Sequence, residues 1–138
     1  MSTKLLLSSD VLDMHHDEKN AWLYLGWKGP QQVELVQGAC QQLTEFLRQT
    51  GTHKALNDNT HITQTSWELV KWVADDYLPG AGRLGLDYVA WAQSPLPSCR
   101  SNPDLTDDFV ERKPQVAIFQ DMAAACEWLG TVSVPVHH

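Results

Sequence analysis

What most restricts this chain is an alternation: short apolar segments with strand character, separated by stretches with helical periodicity. The clearest strand is Ala21-Trp22-Leu23-Tyr24-Leu25-Gly26-Trp27. Trp22 and Tyr24 fall on one face and Leu23, Leu25 and Trp27 on the other, so both faces must be covered. Segments 54–58, 86–92 and 115–119 repeat that character. Segment 5–14 is apolar at intervals and gives way to a polar turn at 15–20, so the first two segments read as an antiparallel hairpin. Val33, Val36, Ala39, Cys40, Leu43, Phe46 and Leu47 recur at the spacing of one helix face. Pro30 suits that helix's first turn, and Gly51 suits the left-handed position that ends it.

A second helix is predicted from Thr65-Ser66-Trp67-Glu68, read as a capping box with Thr65 as N-cap. Its buried stripe is Leu69, Val70, Val73 and Tyr77, and Pro79-Gly80 stops it. A short helix is expected over 104–112, and Asp121 caps a last one that reaches Leu129. Strands that alternate with helices wind into a mostly parallel sheet through right-handed crossovers. The expected fold is therefore α/β: a mixed, mostly parallel sheet with an N-terminal antiparallel hairpin and about four helices.

At 138 residues the chain has the length of one domain, expected over 1–131, with a tail at 132–138 whose His137 and His138 fit no pattern. Ten Lys and Arg against seventeen Asp and Glu leave a formal charge of -7, which disfavours nucleic acid as a partner. No apolar run approaches the roughly 20 residues of a membrane-spanning helix. The first residues, Lys4-Leu5-Leu6-Leu7-Ser8-Ser9-Asp10, lack the apolar core of an export signal. Three cysteines, Cys40, Cys99 and Cys126, are an odd number without Cys-x-x-Cys spacing, which suits a reducing compartment. A cytoplasmic protein is expected. Cys99, beside Arg100, is the thiol to test for reactivity.

Several stretches carry a family likeness. They are 20–29, from Asn20-Ala21-Trp22 to Trp27-Lys28-Gly29; Lys54-Ala55-Leu56-Asn57-Asp58-Asn59-Thr60; Ser66-Trp67 with Trp72-Val73; and Tyr88-Val89-Ala90-Trp91. Together with the order of elements, they resemble the SpoIIAA-like (STAS-like) family of small bacterial proteins, over about 5–129. The resemblance implies a single STAS-like domain. In better-known STAS relatives, antagonists of anti-sigma factors, a serine at a helix N-terminus after the central strand is phosphorylated within an Asp-Ser-Ser-Gly type of turn. Here 58–66 stands in that place, longer and without the glycine, and Thr65 and Ser66 occupy the matching positions as candidate phosphorylation sites. Another branch of the broad group, the CRAL-TRIO lipid-transfer domains, binds apolar ligands.

The stretch Asn57-Asp58-Asn59-Thr60-His61 draws most attention. It is read as a loop leaving the carboxyl end of an interior strand, where open α/β sheets bind ligands. Amides, a carboxylate, a hydroxyl and an imidazole stand within five residues. They can hold a polar ligand or partner peptide, or simply bond their own backbone in a turn. With Trp67 they form the candidate ligand or partner site. An acid–base pair of Asp58 and His61, with Thr65 or Ser66 as nucleophile, is a further option, although no nucleophile elbow, phosphate loop or dinucleotide fingerprint is present. His15-His16-Asp17 reads as turn residues, Asp75-Asp76 and Asp107-Asp108 as solvated faces, and no metal or cofactor is expected. Six tryptophans serve core and interface readings equally.

Three functions follow from this reading. The first is a non-enzymatic regulatory or protein-interaction module, forming a homodimer or binding a protein partner. The second is a small-molecule or lipid-binding protein with the ligand near 57–67. The third is an enzyme using Asp58 and His61.

Overall fold

The computed structural model describes residues 3–96 and 114–132. Six strands form one mixed sheet in chain order: β1 (Thr3–Ser8), β2 (Leu12–Asp17), β3 (Trp22–Pro30), β4 (Lys54–Gln64), β5 (Tyr88–Ala92) and β6 (Gln115–Phe119). Strands β1, β2 and β3 run antiparallel, and β3 to β6 are parallel. The alternation of strand and helix thus produces the mixed α/β sheet it predicts.

The N-terminal part differs in detail. Segment 5–14 is two strands rather than one, because Ser9 turns the chain. Its hydroxyl accepts from Leu12 N (3.1 Å), and its backbone N–H donates to Leu12 O (2.9 Å). His15, His16 and Asp17, read as a turn, lie in β2 opposite Tyr24, Leu23 and Trp22. The turn begins one step later, where both Asp17 carboxylate oxygens bind Asn20. The edge hairpin is therefore a three-stranded meander.

Helix α1 (Val33–Thr50) buries Val36, Ala39, Cys40, Leu43 and Leu47, the stripe its spacing predicts, and ends on Gly51 in the left-handed conformation. Pro30 does not open it: that residue closes β3, and Gln32 is the N-cap. The second helix is one rod in three parts: α2 (Trp67–Trp72), a π segment (Val73–Tyr77) and α3 (Leu78–Arg83). Ser66, not Thr65, is its N-cap, with Oγ accepting from Leu69 N (3.2 Å). Pro79 does not stop the rod. Proline has no N–H and crowds the carbonyl four residues back. The widened π segment, in which Leu78 N donates to Val73 O, lies immediately ahead of it and takes up that mismatch. Asp121 caps α4 (Met122–Thr131) through Ala124 N (2.8 Å), as expected. The described residues thus contain three helical bodies rather than four. The helix expected at 104–112 lies outside them, as do Cys99, Asp107-Asp108 and the final histidines.

The two faces of the sheet are packed differently. One carries Leu23, Leu25, Trp27, Ala55, Val89 and Trp91 under α1 and the composite helix. The other carries Trp22, Leu56, Ala90 and Ala92 against Ala125 and Leu129 of α4. None of the described helices is long and apolar enough to cross a membrane.

Candidate functional site

The stretch read as a loop, 57–61, lies inside β4. It stays extended because β3 runs on to Pro30 and supplies a partner as far as Gln64. Gly26 pairs with Asp58 and Lys28 with His61, so β4 carries one extra residue over this span. Such a bulge re-aims side chains. Asn57 and Asn59 face the helices of the first face, whereas Asp58 lies on the α4 face with Tyr24.

On the first face, the sheet and the two helices frame a half-open apolar cavity of about 80 Å³. Leu25, Ala55 and Val89 form its floor, Val36, Cys40 and Leu43 of α1 one wall, and Leu69, Val73 and Tyr77 of the composite helix the other. The stripe of that second helix is only half-buried at Val70, Val73 and Tyr77, which leaves the space open. Tyr77 Oη lies 3.3 Å from Thr44 Oγ1 and so ties the helix to α1, while Trp72 stacks on the Tyr77 ring at 5.8 Å. Burial pushes the Cys40 thiol up to about 12 and makes it a poor nucleophile.

The cavity's polar groups are Asn57, Asn59, Gln31 and Thr65, together with the Trp27 indole N–H. Trp27 Nε1 donates to Asn57 Oδ1 (2.6 Å), and Asn57 Nδ2 donates to Asn59 Oδ1 (3.0 Å). Gln31 Nε2 donates to Lys28 O (2.8 Å), leaving its carbonyl oxygen for other use. Two of the six expected site residues therefore line a real concavity, but from inside a strand.

Asp58, only 3% exposed, is the centre of the opposite face. Its Oδ2 accepts from Tyr24 Oη (2.5 Å), and its Oδ1 accepts from Thr60 N (2.9 Å) and Thr60 Oγ1 (2.6 Å). Gly26 makes the first of these bonds feasible. A Cβ there would lie 2.9 Å from Tyr24 Cε1, so only glycine lets the ring lie along the strand toward Asp58. Burial and the Asp58 carboxylate together raise the Tyr24 hydroxyl well above the ordinary tyrosine range. Beside this network an open groove runs between α4 and the meander, lined by His15, Asp17, Trp22, Tyr24 and Cys126. Burial, then the Asp58 and Asp17 charges, raise the Cys126 thiol.

The acid–base pair is near contact without being a cleft. His61 Nδ1 lies 3.9 Å from Asp58 Oδ2 and 3.1 Å from Thr60 Oγ1, but the imidazole is 71% exposed and lines neither concavity. Of the proposed nucleophiles, Thr65 lines the cavity on the opposite side of the sheet from Asp58, and Ser66 Oγ caps α2. Those four residues do not converge. Trp67 is 52% exposed and stands outside the cavity. Trp22, Trp27 and Trp91 are buried, and Trp72 and Trp128 pack partly against the two cores. Among the described residues, no three His, Cys, Asp or Glu side chains cluster as metal ligands.

Tyr24, Trp27 and Gln31 are the site residues that reading the sequence missed. The only signal for them is Gly26, a residue without a side chain inside an otherwise bulky strand, which marks close approach of a neighbouring group. No family model, no curated protein and no solved structure matches this chain.

Proposed function

We propose that this chain is a non-enzymatic, STAS-like binding module that takes a small, largely apolar molecule into the cavity beneath its second helix. One observation carries the reading: an apolar space ends on buried amides beside the carboxyl ends of parallel strands, the place where open α/β sheets bind ligands. Its π-containing wall suits a regulatory role, since π segments recur at functional sites and this one reaches α1 through the Tyr77–Thr44 hydroxyl pair. The unpaired Cys40 and Cys126 thiols fit a cytoplasmic setting. The test is a thermal-shift screen over metabolites and lipids. A compound at about 100 times its Kd stabilises the fold by about 2.7 kcal/mol, and Val73→Phe, which fills the cavity, removes that stabilisation. Equal stabilisation of the filled variant, or none from any compound, overturns the proposal.

A second reading, a homodimer or protein-interaction module, is favoured by Trp67, whose half-exposed indole stands at the start of α2. Light scattering on the wild type and Trp67→Ala decides it: a dimer that Trp67→Ala dissociates supports the reading, and a monomer that retains no partner counts against it.

A further inference from the structure

We infer that the ligand of this cavity presents a neutral carbonyl oxygen, and that the Asn59 side-chain amide is the group that recognises it. This rests on the ligand-binding reading above and adds the chemistry of the ligand's polar end. The indole of Trp27 can only donate. The Asn57 atom 2.6 Å from it must therefore be the carbonyl oxygen, which leaves the Asn57 NH2 at its other end. That group donates to Asn59 at 3.0 Å, so the accepting atom there must be the Asn59 oxygen. The orientation of both amides follows from one donor-only ring.

Asn59 is then left with its own NH2. The residue is 7% exposed and lines the cavity, and its NH2 has no acceptor among the described residues. An amide donor that faces an apolar space with no protein acceptor gains from an acceptor on whatever fills that space. The acceptor is uncharged, because among the described residues no Lys or Arg lines the cavity and a buried carboxylate without a cation is strongly disfavoured. A ketone, ester or amide carbonyl on an apolar body meets both conditions.

The test uses two probes of one shape, cyclohexanone and methylenecyclohexane, which differ only in an exocyclic oxygen or CH2. Each is titrated by NMR into wild type and into Asn59→Leu, which keeps the branching of the side chain and removes the donor. The ratio of the two affinities cancels the probes' different solubility in water. We expect that ratio to fall about ten-fold, against the ketone, in Asn59→Leu. A ratio unchanged by the substitution overturns the inference and leaves the binding reading standing. Failure of both probes to bind wild type overturns both. Should Asn59→Leu not fold, the wild type decides: the Asn59 side-chain NH2 resonances must move with cyclohexanone and stay with methylenecyclohexane, and movement with neither sinks the assignment.

Discussion

Asp58 and Asn59 are neighbours in one strand and share almost the same burial, yet the two sides of the sheet treat them in opposite ways. On the α4 side, the Asp58 carboxylate accepts three hydrogen bonds from Tyr24 and Thr60, and the packing is an alanine layer, Ala90, Ala92 and Ala125, without exposed surface. On the α1 side, Asn59 keeps an unused donor beside an apolar void. The saturated Asp58 cluster holds the fold together, beside the open groove on the same face. The α1 side retains an apolar space and spare hydrogen-bonding capacity, which a binding site needs and a pure core eliminates.

The largest effect should come from breaking the Asp58 cluster. Asp58→Ala strands the Tyr24 hydroxyl and two Thr60 donors, and should cost about 3 kcal/mol in denaturant unfolding. A loss below 1 kcal/mol would show that water already reaches these groups. Adjacent residues on β5 give a sharper contrast. Ala90→Val forces methyl groups into the packed α4 layer and should cost about 2 kcal/mol, whereas Val89→Ile, facing the cavity, should be neutral within about 0.5 kcal/mol. Equal costs would erase the distinction between the faces.

Tyr24→Phe should cost about 1.5 kcal/mol by leaving Asp58 Oδ2 without its donor. It should also alter the alkaline limb of stability. Burial raises the hydroxyls of both Tyr24 and Tyr77 above the usual tyrosine value of about 10. The folded state therefore holds protons that the unfolded chain has released, and stability is complete below about pH 10 and falls as pH rises beyond it. The fall in wild type should be steeper than in Tyr24→Phe, measured by urea unfolding across that range. A smaller loss belongs to Ser66→Ala, which removes the α2 cap at a cost of about 1 kcal/mol, while Thr65→Ala leaves the helix end intact. The reverse result would restore Thr65 as the cap.

Much of the fold is legible in the sequence. The α1 stripe, the Gly51 terminus, the Asp121 cap and the parallel core strands all follow from local periodicity and backbone preference, which act over a few residues and are written there. The candidate site was half legible: Asn57 and Asn59 stand at the carboxyl end of an interior strand, as expected. Their residue types read as a loop because asparagine and aspartate ordinarily mark turns, and the signal for extension lies some thirty residues away, in the length of β3. Pro79 misled in the same way. It ends a helix locally, yet here a π segment accommodates it.

Sequence by itself determined the alternating elements, because propensity, capping and hydrophobic period are short-range. Tertiary structure alone decided which face each β4 side chain serves, since a bulge is defined only by a partner strand. It also decided that Asp58 is saturated and Asn59 is not, because hydrogen bonds to Tyr24 and Trp27 depend on how β3 and β4 lie beside one another in space.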